Sequence, residues 1–432
     1  MFSRLSLVLL LAATAARAIR PSILGGHWVD TWVSMPQLTE PANLPNAPFN
    51  QSGLVFPNST IRQTLHVSVG GSQLRLRISN VFSDVNLPIT AVTIALPAGG
   101  SAGASAIQPR TLKTLTFSGK QSIIIPNGAL VVSDPIDFSV KPQSMLSVSI
   151  FTPGQASPSN SVTSHPGSRT TSWFAFGDHT KADDIVDSSK QSVAHWYFLS
   201  ALEVWVPQTT RAWAIVGDSI TDGRGSDTDK NNRWPDLVLA KMQKSIFTSN
   251  IAVLNQAAGG NRILLDGLGP NALGRIDRDV LAHSGVRYVM IFEGVNDIGT
   301  AAPTVSAQDA VADRLIGAFQ QIISRVHTFG LPIFAATITP FGAPNSTIQP
   351  YSDPIRETAR QRVNNWIKTS GAFDAVVDFD KILRDPKNGT QLNPKFNSGD
   401  FLHPNVAGYQ AVADAFPIDL FTRFTLGVNS FE

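Results

Sequence analysis

The sequence predicts an α/β domain, a three-layer α/β/α arrangement around a parallel sheet, preceded by an all-β sandwich or jelly-roll-like domain. Two observations predict it. Residues 60 to about 205 hold short runs rich in β-branched residues, punctuated by Gly, Pro, Asn and Ser. After about residue 208, continuous apolar runs alternate with helical patterns, as expected of strands buried on both faces. The expected boundaries are 19–207 for the β domain and 208–432 for the α/β domain, and 432 residues suit two domains.

The first segment belongs to neither. Met1-Phe2-Ser3-Arg4 is a short basic start, LSLVLLLAATA is too short to span a bilayer, and Ala16-Arg17-Ala18 fits a cleavage site. Residues 1–18 therefore read as a signal peptide, and the mature protein is expected to be secreted and soluble. With 34 basic and 32 acidic residues the chain carries +2. Arg4 and Arg17 leave with the leader, so the mature charges balance. That gives no electrostatic reason to bind nucleic acid, and no other apolar run calls for membrane insertion. There is no cysteine, which excludes thiolate catalysis and cysteine metal sites. Four Asn-x-Ser/Thr sequons, at Asn50, Asn58, Asn345 and Asn388, are candidate glycosylation sites.

In the β region, LRLRIS (74–79) alternates as a half-buried antiparallel strand should. Ser101–Ser105, within GGSAGASA, reads as a flexible loop. In the α/β region the expected strands are 212–216, 251–255, 287–294, 332–339 and 375–379. Between 305 and 329, Val311, Leu315, Ala318, Phe319, Ile322, Ile323 and Val326 form one apolar helical face, ended by Gly330 and Pro332. Segments 353–369 and 405–423 are further helices.

Ligands of parallel α/β sheets sit at the carboxyl ends of the strands. There the sequence places Gly217-Asp218-Ser219, then Gly259-Gly260-Asn261-Arg262, then Gly294-Val295-Asn296-Asp297. Before the last helix comes Asp400-Phe401-Leu402-His403. Ser219 is open to two readings, since serine is a favoured helix cap as well as a nucleophile. As a nucleophile it needs a base, and His403 is suitable. A carboxylate steadies such a base. Asp400, three residues before His403, could reach it, although Asp378, Asp380 and Asp385 compete. The Ser219 and Gly260 N–H groups and the Asn296 amide could hold an oxyanion. Asp218 and Asp297 read as loop-holding residues, and Asn261 and Arg262 as cleft-lining, substrate-binding candidates. Trp28, Trp32, Trp173 and Trp196 read as core, with a sugar platform as the alternative.

GDSI, the glycine of GGNR, GVND and DFLHPN, in that order over roughly residues 210–425, resemble the four motif blocks of the SGNH hydrolases, the GDSL esterase/lipase superfamily. Ile220 stands where the GDSL name expects Leu. Longer strings such as NNRWPDL and HWVDTWVSMPQ (27–37) resemble a secreted subgroup of GDSL-like lipases or acylhydrolases with an N-terminal β-rich region. The resemblance implies Ser219 as nucleophile, His403 as base and Asp400 as its partner. It implies Gly260 and Asn296 as oxyanion donors, which with the Ser219 N–H complete the expected oxyanion hole, and the set reads as an acyl-enzyme route for carboxylic esters.

No HExxH, His pair or calcium loop is present, so neither a metal nor another cofactor is expected. The polar loop GRGSDTDKNNR (223–233) and the lack of an amphipathic lid lean toward short acyl, chiefly acetyl, esters on polar substrates such as polysaccharides. Longer-chain lipase or carboxylesterase activity is the alternative. A non-catalytic glycan-binding protein is the rival from another class, and its signature would be loss of Ser219, His403 or Asp400.

Overall fold

The computed structural model describes residues 25–429. The signal peptide expected over residues 1–18 lies outside the described residues. Among those described, the first half is built of antiparallel strands. One sheet orders Gly26–Val33, Leu199–Pro207, Gly71–Ser79 and Leu130–Val132, with Ile136–Val140 also paired to Gly71–Ser79. Alternation explains the LRLRIS strand: Leu74, Leu76 and Ile78 are buried, and Arg75 and Arg77 take the other face. A second sheet orders Gln191–Val193, Ser172–Phe176, Ser59–His66, Met145–Thr152, Ala91–Ala95 and Lys113–Thr114. A small third sheet joins Gln37–Leu38, Thr163–His165 and Trp196–Tyr197.

The GGSAGASA segment is anchored rather than flexible. The Gly103 N–H donates to Thr64 Oγ1 at 2.8 Å, and the Gly103 carbonyl accepts from the Trp173 indole at 2.7 Å. The Ser105 carbonyl accepts from the fully buried Arg62. Small residues here let backbone approach buried donors, which composition alone reads as freedom.

The second half holds a five-stranded parallel sheet. Its strands are β1 (Arg211–Gly217), β2 (Ile251–Ala257), β3 (Val286–Phe292), β4 (Ile333–Ala336) and β5 (Ala375–Val377). Their spatial order is β2-β1-β3-β4-β5, all parallel. This is the three-layer α/β/α fold that the sequence predicts, with the β-rich region before it. The order reverses between β1 and its two neighbours, the place where such sheets open a crevice. Helix α1 (Val305–His327) buries the apolar face described above and is capped by Thr304. Helix α2 (Pro354–Thr369) is capped by Asp353. The expected helix over 405–423 is two: Val406–Ala415 and Leu420–Arg423. Pro417 lies between them and lacks the N–H that a continuous helix needs.

The two halves share one core. Strand Gly26–Val33 lies against β2, and Val29 sits so close to Gly285 that a Cβ there would approach it within 2.7 Å. Beside it lies a buried charged seam. Asp30 Oδ2 accepts from the Ser284 N–H at 2.7 Å and meets His283 Nδ1 at 2.8 Å. Glu203, fully buried, binds Arg75, Arg77 and the Ser284 hydroxyl. Buried charges persist only when paired, so this seam fixes how the halves meet.

Candidate active site

The site is built where β1, β2 and β3 end. After β1, Asp218 caps a four-residue helix, Ser219–Asp222, its Oδ1 accepting from the Ile220 N–H at 2.9 Å. The cap is therefore Asp218, and Ser219 is the first helical residue. Gly223 ends the helix in the left-handed conformation, φ 101°.

The structure brings Ser219, His403 and Asp400 together. Ser219 Oγ lies 2.8 Å from His403 Nε2, and His403 Nδ1 lies 2.6 Å from Asp400 Oδ2. The local chain explains the second contact. Asp400 Oδ1 accepts from the backbone N–H groups of Leu402 and His403, and Phe401 turns at φ 59°. That tight turn folds the carboxylate back onto its own ring. Of the rival carboxylates, Asp378 caps the Phe379–Leu383 helix and Asp380 binds Arg360 and Arg384. Asp385 accepts from the Lys387 N–H. Burial lowers the His403 pKa below the usual imidazole value, and the Asp400 contact only partly offsets it. Burial pushes the Asp400 carboxyl up, but the His403 ring and two N–H groups outweigh it and hold the carboxyl well below its ordinary range.

The donors converge on the same cleft, of about 330 Å³. Ser219 N–H and Gly260 N–H donate to no protein acceptor among the described residues. Gly260 has φ 69°, and a Cβ there would lie 2.5 Å from Leu268, so glycine is required. The Asn296 amide gives one hydrogen to the Asn261 carbonyl at 2.8 Å, and its oxygen accepts from Tyr351 at 3.2 Å. An amide has two N–H donors, so the second is available to the cleft that Asn296 lines.

Asn261 and Arg262 do not line it. Asn261 is buried, donating to the Pro270 carbonyl and accepting from Arg275. Arg262 turns outward to the Asp266 carbonyl. Each supports the loop after β2 instead. Asp297 does the same, accepting from the Ile263 and Leu264 N–H groups. Burial pushes Asp218 up to about 7 and Asp297 to about 6. The four tryptophans form no common platform: Trp32 and Trp196 are core and meet edge to face, and Trp28 packs on Trp205. Trp173 lies under Lys190.

Sequence reasoning missed the opposite wall of the cleft, which the β half supplies through Gln37, Glu40, Asn43, Gly167 and Arg169. It also missed the link behind it. His165 Nδ1 donates to the Met35 carbonyl at 2.9 Å, and Nε2 meets Asp222 Oδ1 at 2.9 Å. Asp222 Oδ2 accepts from the Gly259 N–H at 3.0 Å. A β-domain histidine thereby braces the glycine loop that presents Gly260. The residues are 57 apart in sequence, and no local pattern marks them. Of the sequons, Asn58, Asn345 and Asn388 are exposed and Asn50 is half-buried.

Residues 215–411 match the GDSL-like lipase/acylhydrolase family. A search of curated proteins returns no match. Among solved structures, the chain is similar to a carbohydrate acetylesterase from Sinorhizobium meliloti, with 14% identity, 50% of this chain and 100% of that one covered, and a TM-score of 0.38. It is also similar to a GDSL-like lipase from Bacteroides thetaiotaomicron, with 16% identity, 48% of this chain and 85% of that one covered, and a TM-score of 0.34.

Proposed function

Since residues 215–411 form a domain of the GDSL-like lipase/acylhydrolase family, within the SGNH hydrolases, we propose that the protein is a secreted serine esterase cleaving short acyl, chiefly acetyl, esters of polar alcohols such as polysaccharides. The observation that carries the reading is the unbroken relay from Ser219 Oγ through His403 to Asp400, opening on a cleft with three free donors. His403 takes the Ser219 proton as the hydroxyl attacks the ester carbonyl. The Ser219 and Gly260 N–H groups and the Asn296 amide receive the oxyanion. His403 then protonates the leaving alcohol, and water releases the acid from the acyl-enzyme. Asp400 stays ionised and steadies the imidazolium. Secretion rests on the leader pattern of residues 1–18.

A fluorophosphonate should label one serine, and peptide mass mapping should place it on Ser219. Labelling elsewhere, or none, would overturn the assignment. The short-acyl preference rests on the polar side chains in the cleft wall, Gln37, Glu40, Asn43, Arg169 and Arg224. One observation favours longer chains: Leu268, which lines the cleft beside Gly260, is 48% exposed. Rates on acetate and on long-chain esters of one alcohol decide between them, with acetate expected to be the faster.

The pH profile follows from the sign of the His403 shift. Only the neutral ring accepts the Ser219 proton, and its pKa is lowered. The acid limb of kcat/KM should therefore have its midpoint below about 6.5, the ordinary imidazole value. A midpoint above that value contradicts the role.

A further inference from the structure

We propose that the cleft recognises a carboxylate on the alcohol part of its ester, gripped by Arg169 and Arg224. The proposal rests on the esterase reading of the same site. Arg169 comes from the β half and Arg224 from the loop five residues after Ser219, and both line the cleft with Ser219 and His403. Among the described residues, the buried arginines are committed: Arg62 to Ser149, Arg275 to Asn261, Arg360 to Asp380. Among the same described residues, the guanidinium groups of Arg169 and Arg224 have no such protein partner. Arg169 Nε is buried with no acceptor among the described residues, so no protein carboxylate competes there for the guanidinium.

Both positions are set by the site's own frame. The Arg224 N–H donates to the Ser219 carbonyl at 2.9 Å, and the Arg224 carbonyl accepts from Tyr409 at 2.5 Å. Arg169 holds φ 49°, and its carbonyl accepts from the Asp229 N–H at 2.9 Å. The two acids that line the cleft with them, Asp222 and Glu40, make no ion pair with either cation. Asp222 is occupied by His165 and the Gly259 N–H. Glu40 accepts from the Asn43 amide, and burial pushes its carboxyl up.

The side of the cleft follows from His403. Gly225, next to Arg224, packs so closely on Pro404, next to His403, that a Cβ there would lie 2.2 Å from the Pro404 carbonyl oxygen, and the charges of both arginines lower the His403 pKa. The imidazole delivers its proton to the leaving alcohol, whereas Gly260 and Asn296 face the acyl oxygen. The anion therefore belongs to the alcohol. A guanidinium fork fits a carboxylate with two parallel hydrogen bonds. A polar alcohol with that pattern is a hexuronate esterified on a ring hydroxyl.

The test compares kcat/KM for a monoacetylated methyl hexuronide with its neutral hexoside, and for monoethyl succinate with ethyl butyrate. A preference of roughly tenfold to hundredfold for the hexuronide is expected, the range of one charged hydrogen-bonded contact. It should shrink with added salt. The acid on the acyl side should bring no gain. Arg169→Gln and Arg224→Gln should each cut the hexuronide-to-hexoside ratio, and the double variant should bring it near one, with thermal unfolding checking that each is folded. Equal rates on hexuronide and hexoside, a preference for the acyl-side acid, or a ratio kept by a folded double variant would overturn the proposal and leave the esterase reading standing. Failure to hydrolyse any ester, an activated acetate included, would remove both.

Discussion

Ser219→Ala should lower turnover of an activated acetate ester by about 10⁴- to 10⁶-fold, the range seen when a triad nucleophile is removed. The size follows from the relay. Without Oγ there is nothing for His403 to deprotonate at 2.8 Å and no atom to carry the acyl group. The fold should survive. Ser219 Oγ supports no backbone group, the cap is Asp218, and alanine suits a first-turn helical position. The check is a steady-state assay beside a thermal unfolding curve. Residual activity above about one part in a hundred would mean that another group attacks.

A chain beginning at residue 208 should give no cooperative unfolding transition and no measurable esterase activity. Its sheet would lose the strand Gly26–Val33 that covers β2. His283 and Ser284 would lose Asp30 and Glu203, and Asp222 would lose His165. Losing a buried partner costs more than the pair gives, because the group left behind is neither solvated nor bonded. Arg233 would lose the Ser168 carbonyl and the Trp196 ring. The measurements are calorimetry and hydrolysis of the same acetate ester. A soluble, cooperatively unfolding and active fragment would show that the halves are independent.

The parallel sheet was legible because each strand is a continuous apolar run, and α1 because its buried face repeats at helical spacing. Asp400 and His403 were legible for a related reason: their contact spans three residues, and a short turn is a local event. What escaped was non-local. The loop 223–233 looks like a polar surface that meets substrate. Much of its polarity instead serves docking. Asp229 accepts from the Thr171 N–H and hydroxyl, and Arg233 binds Ser168. Only Arg224 in that loop faces the cleft. A polar side chain bound across 50 or more residues and one bound to water look the same in a sequence. The GGSAGASA loop misled for the same reason, its partners Thr64 and Trp173 lying far along the chain.

The small sheet joining Gln37–Leu38, Thr163–His165 and Trp196–Tyr197 carries a consequence for engineering. It cross-ties two of the segments that wall the cleft, since Thr163 pairs with Leu38 and Ser164 with Gln37. One segment leads to Glu40 and Asn43, the other to Gly167 and Arg169. Grafting either segment alone from another protein would break their backbone ladder. Moved together, they form a cassette whose exchange should retune selectivity while Ser219, His403, Gly260 and Asn296 stay on the other half of the molecule.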